Sequence, residues 1–467
     1  MQSAPKVTLY ITNHNYGRFI EQAIESVLRQ SMQDFELIII DDGSTDHSRE
    51  IIERYVGHPK IVPIFQQNKG LNVSNNIALR AARGRYIMRL DADDWLDENA
   101  LSVMAGALDR DRDLGLVFPD YYMVDEAGHV LELVRRHDFQ DVTLMDQPAH
   151  GACTLIRRKC LLELGGYDES LRCQDGYDLW IRFIAHHRVR NINLPLFYYR
   201  QHGTSLTKNE RRILDARARI IERHSKMGDV PAHATAIIPV RGKVLDPASP
   251  ALEILGGRPL IDWTIEAALE ARHIRYVLVT SPDPDVLAHV DARFGTAVFT
   301  VRRQPRLALP NTRLTDTLVD ALDKLVAEHE ETDVLALLQI ESPFRNAGHI
   351  DTAIEILALF NTDSVVAVRS ENDRFFRHDG SGLVPVRRTP ELRLEREELY
   401  REAGGLHIVR TAFLRDQHTI LGGRLGHVVL DQKAAIVIRS DFDWQVAGLI
   451  ADAENQPRPL ALVQAGS

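Results

Sequence analysis

A chain of 467 residues that is 44% hydrophobic and 26% charged has apolar material for two or three cored domains, which excludes disordered and fibrous classes. Its net charge of -10 argues against nucleic acid as a partner held by the overall field. The start, MQSAPKVTLYIT, has no cationic segment leading into an apolar one, and no later apolar run approaches the roughly 20 residues that span a bilayer, so a cytoplasmic protein without a transmembrane segment is expected.

From Lys6 to about Ala100, β-rich and helical runs alternate. VTLYIT reads as a strand, FIEQAIESVLRQ as an amphipathic helix, FELIIID as a strand, SREIIERYV as a helix and IVPIF as a strand. A helix around NIALRAAR and the strand YIMRL follow, and this βαβ series predicts a mainly parallel sheet covered by helices. The charged run at 209–226 predicts a helix with Ile213, Leu214, Ile220 and Ile221 on one stripe, and GDVPAHA reads as a linker. The alternation then restarts: ATAIIPV, YVLVTS, DVLALLQI and SVVAVRS as strands, RPLIDWTIEAALEA and HIDTAIEILALF as helices. The predicted fold class is therefore α/β, with two Rossmann-like domains at 1–207 and 234–467, joined by a charged helix and linker at 208–233.

Carboxylates concentrate where strands are predicted to end, in DDGSTD at 41–46 and LDADDW at 90–95. Like charges packed this densely repel and lose solvation, so a fold keeps them mainly where a cation compensates. The carboxyl ends of parallel strands are also where ligands gather in open α/β sheets. Together these point to a divalent metal holding a phosphate. An Asp after a strand can also simply cap a helix or close an Asx turn, the plainer reading for Asp46 and Asp94.

The run TLYITNHNYGRFIEQAIESVLRQSMQDFELIIIDDGSTD followed by NKGLNVSNNIALRAARGRYIMRLDADDWL resembles the family 2 glycosyltransferases of the GT-A fold, over about the first 205 residues. The resemblance implies that Thr12, His14, Asp42 and Asp91 line the nucleotide site, that Asp93 ligates Mg²⁺ or Mn²⁺, and that a nucleoside diphosphate sugar, UDP-sugar favoured, is the donor. It places a general base at Asp175 in GGYDESLRCQDGYDLWIRF, with Asp178 as the fallback because many relatives read Glu-Asp where this chain reads Asp175-Gly176. His202 in YYRQHGTSLT matches a closing segment whose His reaches the metal or the diphosphate. His14 stands where relatives usually carry Tyr, and Asn75 precedes Asn76 where they often carry Arg.

From about Ala234 to Leu449 the chain resembles CMP-sugar synthetases, through AIIPVRG, GGRPLIDWTIEAALEA, LLQIESPFR, TDSVVAV and SDFDWQVA. Relatives wrap the triphosphate with a Gly- and Lys-rich loop, but here Leu245, Ser249 and Pro250 stand at its cationic positions. Relatives also end in an IDID-like strand that binds Mg²⁺, whereas IVIRS puts Val437 and Arg439 there. A degenerate cytidylyltransferase is expected, with Arg241, Gln339 and Arg345 as a vestigial nucleotide or acidic-sugar site, kept for binding, docking or homodimerisation.

The leading expectation is a metal-dependent inverting glycosyltransferase acting on a hydroxyl of a glycan or glycoconjugate, with peripheral membrane contact left open. A bifunctional transferase and CMP-sugar cytidylyltransferase, and a non-catalytic sugar-nucleotide scaffold, are the alternatives. Cys153, Cys160 and Cys173 lack the paired close spacing of zinc sites and are expected to be reduced and structural.

Overall fold

The computed structural model describes residues 4–135, 151–171, 174–202, 210–225, 233–309, 311–371, 375–386 and 399–455. It packs as two units, Met1–Arg217 with Asp373–Glu397 and Ala218–Asn372 with Glu398–Ser467.

In the first unit the chain runs β1 (Val7–Asn13), α1 (Ile20–Leu28), β2 (Phe35–Asp42), α2 (Ser48–Glu53), β3 (Ile61–Gln66), α3 (Leu71–Ala81) and β4 (Tyr86–Asp91). It continues through β5 (Trp95–Leu96), α4 (Ala100–Arg110), β6 (Leu114–Val124), β7 (Val130–Val134), β8 (Leu155–Arg157), α5 (Arg158–Glu163), α6 (Asp175–Ile184), β9 (Arg188–Arg200) and the start of α7 (Glu210–Ser225). The sheet order is β3-β2-β1-β4-β8-β6-β9-β5, with β7 paired to β6. β3, β2, β1 and β4 are parallel, and β8 enters antiparallel between β4 and β6.

Every residue of β2 is buried, because helices cover both faces of the sheet; this is why FELIIIDD is an almost unbroken apolar run. Leu9, Leu37 and Met88 face one half of the core, while Tyr10, Ile38 and Ile87, one position along, face the other. α3 begins at Leu71, five residues before the stretch NIALRAAR that suggested it. Its buried face there is amide: Asn72 donates to the carbonyls of Asp168 and Leu171, and Asn76 donates to the Tyr167 carbonyl and accepts from the Tyr167 amide.

The second unit contains β10 (Ala234–Pro239), β11 (Ile254–Leu255), β12 (Arg258–Pro259), α8 (Leu260–Leu269), β13 (Ile274–Ser281), α9 (Pro284–Phe294), β14 (Phe299–Arg302), α10 (Leu314–Val326), β15 (Val334–Leu338), α11 (Ala347–Leu359) and β16 (Ser364–Glu371). A short hairpin, β17 (Phe376–His378) and β18 (Leu383–Pro385), interrupts it before β19 (Leu399–Arg410), α12 (Thr411–Gln417), β20 (Leu425–Val429) and α13 (Asp441–Asn455). Its sheet order is β14-β13-β10-β15-β19-β16-β20. Both units are α/β, and both follow one plan: four parallel strands in the order third-second-first-fourth, then a late antiparallel strand inserted before an earlier one. Among the described residues no helix is long and apolar enough to cross a membrane.

Candidate active site

The acidic clusters gather at the carboxyl ends of β1, β2 and β4, which the parallel register brings level: Thr12 pairs with Asp91 and Asn13 with Asp41. Asp41 accepts from Asn13 Nδ2 at 2.8 Å and from Ser44 Oγ at 2.5 Å. Asp42 is buried and fully used by the loop before α3. Its Oδ1 accepts from Gln66 Nε2 at 2.7 Å and the Lys69 amide at 2.8 Å, and its Oδ2 accepts from the Gly70 amide at 2.8 Å. Gly43 turns the chain at φ +74°, where an added Cβ would lie 2.6 Å from the Asn68 nitrogen. Thr12 is half-buried at this end of the sheet, and His14 is exposed, its Nδ1 donating to the Asp42 carbonyl at 2.9 Å.

At the end of β4 the organising group is one that the sequence reading missed, Arg89. Its guanidinium is 6% exposed and reaches Asp91 Oδ1 from Nε at 3.0 Å and Asp175 Oδ2 from Nη1 at 2.6 Å. Asp175 opens α6 directly after Gln174, which is held in the left-handed region at φ +61°. Asp91 and Asp175 are thus brought together on one buried cation. Burial most of all, with Asp93 and Asp175 adding to it and Arg89 opposing, pushes the Asp91 carboxyl up to about 6. Asp94 is wholly buried, and burial with the charges of Asp93 and Asp91 raises its pKa; its Oδ1 accepts from the Arg200 amide at 2.9 Å, and its Oδ2 has no hydrogen-bond partner among the described residues.

Asp93 meets His202, with Nε2 2.8 Å from Oδ2. The imidazole is pinned between Tyr16, edge-on at 5.6 Å, and Phe19 at 5.5 Å. Arg200 locks the segment: it donates to the Asp93 carbonyl from Nε and to the Glu126 carbonyl from Nη1, with its guanidinium over Phe19 and Trp95. Asp93 and His202 together offer a carboxylate oxygen and an imidazole nitrogen. That donor set suits Mn²⁺ or Mg²⁺, which take one or two protein groups when phosphate and water complete the shell.

Asp178 does not join this cluster. It is buried in an i,i+4 ion pair with Arg182, which also donates to the carbonyls of Leu164 and Gly166 and so fastens α6 to the loop after α5. Asn75 is fully buried, its Nδ2 3.4 Å from Asn72 Oδ1, so it presents no donor to a ligand. Cys153 and Cys160 are buried free thiols, and Cys173 lies outside the described residues.

In the second unit, Arg241 is exposed and Gln339 half-buried beyond the ends of β10 and β15. Arg345 is 1% exposed and donates to the carbonyls of Gly404 and Gly405 in β19 and of Gln339 just after β15, so it braces these segments and leaves no surface for a ligand, against the expectation that it grips one. Arg303, not anticipated from sequence, is 5% exposed and donates to the Thr280 carbonyl, while its Nε has no partner among the described residues. Burial first, then the neighbouring Arg241 charge, lowers its pKa to about 10. The IVIRS stretch is irregular, not a strand, and Arg439 is exposed.

Residues 8–165 match the family described as Glycosyl transferase family 2, and residues 237–391 match the one described as Cytidylyltransferase. The chain is 30% identical to the chondroitin synthase of Escherichia coli over 217 residues, 44% of this chain and 31% of that protein. It is 27% identical to the hyaluronan synthase of Pasteurella multocida over 214 residues, 44% of this chain and 21% of that protein. It thus spans about a third or less of the length of these two curated relatives. S. aureus TarS 1-349 in complex with UDP-GlcNAc aligns with 47% of this chain and 66% of its own at 18% identity and a TM-score of 0.41, a likeness too slight to argue from. The chain accordingly carries a family 2 glycosyl transferase region at residues 8–165, followed by a cytidylyltransferase region at residues 237–391.

Proposed function

We propose that the first unit is a metal-dependent inverting glycosyltransferase that moves a sugar from a nucleoside diphosphate, UDP favoured, to a hydroxyl of a glycan or glycoconjugate. The observation that carries the reading is the meeting of Asp91 and Asp175 on Arg89 beside the Asp93–His202 pair. Asp93 and His202 would hold Mn²⁺ or Mg²⁺, which when bound neutralises the departing diphosphate. Thr12, His14, Asp42 and Asp91 surround the nucleotide, with Asp42 shaping the pocket through the 66–70 loop. Asp175 takes the acceptor proton; only its Oδ2 is held by Arg89, and Oδ1 makes no hydrogen bond among the described residues. The names of the chondroitin and hyaluronan synthases favour a glycan acceptor.

We propose further that the second unit binds or docks without nucleotidyl transfer, since Val437 and Arg439 stand where the resemblance expects metal-binding acids. Screening nucleotide sugars for turnover with Mn²⁺ tests the first reading. Turnover that survives Asp93→Ala together with Asp175→Asn would refute it. Pyrophosphate release from CTP, Mg²⁺ and nonulosonic acids by that double variant would refute the second.

A further inference from the structure

Away from these acids, three side chains of different chemistry converge on the other end of α6. Cys160 and Glu163 stand three residues apart on α5, hence on one helix face, and His187 lies in the turn between α6 and β9. Their Sγ, carboxylate oxygen and imidazole nitrogen all lie within 4.8 Å of one another. His187 Nε2 is 4.0 Å from Glu163 Oε2, too far for a hydrogen bond, so the two groups face each other without satisfying each other.

The imidazole is placed by rigid neighbours. Its backbone amide donates to the Phe183 carbonyl at 2.9 Å, and its ring packs on Phe183 at 4.9 Å. Gly115 of β6 lies directly behind, where an added Cβ would come within 2.9 Å of His187 Cβ and 2.8 Å of the Phe183 ring. Cys160 is buried and Glu163 exposed, so the cluster has a fixed floor and an open, acidic mouth.

We propose that Cys160, Glu163 and His187 form a binding site for one Zn²⁺ ion, separate from the donor site, with a fourth position open to water. Thiolate, imidazole and carboxylate are the ligand types zinc takes, at about 2.0–2.3 Å, so tetrahedral closure needs inward movement of roughly 1 Å from the present spacing. A thiolate ligand selects a borderline-soft metal over Mg²⁺ or Ca²⁺. Binding displaces the Cys160 proton and ties α5 to the turn that ends α6, the helix that Asp175 begins.

Cobalt(II) titration of the full chain tests this. The expected result is a thiolate-to-cobalt charge-transfer band at one equivalent that zinc abolishes. Cys160→Ser should remove the band while Cys153→Ser retains it. His187→Gln and Glu163→Gln should weaken binding by at least the roughly 10–100-fold that losing even an outer-shell partner costs. Each variant's circular dichroism is compared with wild type, and for any that misfolds, zinc content of the purified wild type after dialysis is the second readout. A folded wild type with no thiolate band at saturating cobalt, a band unchanged in His187→Gln, or zinc absent after dialysis overturns the proposal.

Discussion

Arg89 and Asp175 meet as a buried ion pair, Nη1 to Oδ2 at 2.6 Å, that ties the end of β4 to the first turn of α6. The same guanidinium holds Asp91, so one cation balances two carboxylates that would otherwise repel each other in a region short of water.

Arg89→Met should therefore be costly to the fold as well as to turnover. Removing the shared partner of buried charges costs roughly 3–5 kcal/mol, measurable by urea denaturation of the full chain. Arg89→Lys keeps the charge without the fork and should recover only part of the loss. An Arg89→Met protein as stable as wild type would mean that the two acids find another counter-charge.

Asp91 offers a pH test whose sign can be worked out. Its folded pKa of about 6 lies above the ordinary 3.8, so the native state binds this proton more tightly than the unfolded chain does. Stability from this group is thus present at low pH and is lost as pH rises from about 4 through 6. Asp91→Asn mimics the protonated form: without added metal it should melt higher than wild type at pH 7.5, with the gain shrinking towards pH 5. A gain that does not shrink would show that repulsion is not its source.

The two acids of α6 should separate cleanly. Asp175→Asn is expected to lower turnover by about two orders of magnitude or more, the range for a lost general base, while changing substrate KM little. Asp178→Asn should leave turnover near wild type and lower stability by about 3 kcal/mol, because it removes the counter-charge of Arg182 and leaves that guanidinium only the Leu164 and Gly166 carbonyls. The reverse pattern would move the base to Asp178.

Arg345→Met tests whether this residue braces β19 against the segment after β15 or serves a ligand. Loss of charge-assisted bonds to the Gly404 and Gly405 carbonyls should cost about 3 kcal/mol and raise hydrogen exchange near 339–345 and 404–406. A variant that exchanges like wild type would contradict the bracing role.

Much of this was legible in the chain. β1, β2, β10, β13 and β15 are apolar runs because their sheets are covered on both faces, and the acids follow where such strands stop. Other features were not. The start of α3 looks polar because its inner face meets the 167–171 loop through Asn72 and Asn76, and periodicity counts hydrocarbon, not amides. The three-residue β8 is defined by what it pairs with and carries little local signal. Arg89 did leave a trace, since a cation inside the buried strand YIMRL must have a counter-ion somewhere. Sequence offers the same residue type at Asp175 and Asp178, and only the partners Arg89 and Arg182 tell the two apart.

The late antiparallel strand bears on how the second sheet is born. β19 threads between β15 and β16, with Leu335 facing Val409 and Val365 facing Ile408, so the slot stays open until the ribosome has released the chain past residue 410. A polypeptide cut at 391, where the cytidylyltransferase match stops, would lose β19 and β20 together, leaving the β14-β13-β10-β15 sheet with a raw edge and β16 without either neighbour, and should aggregate.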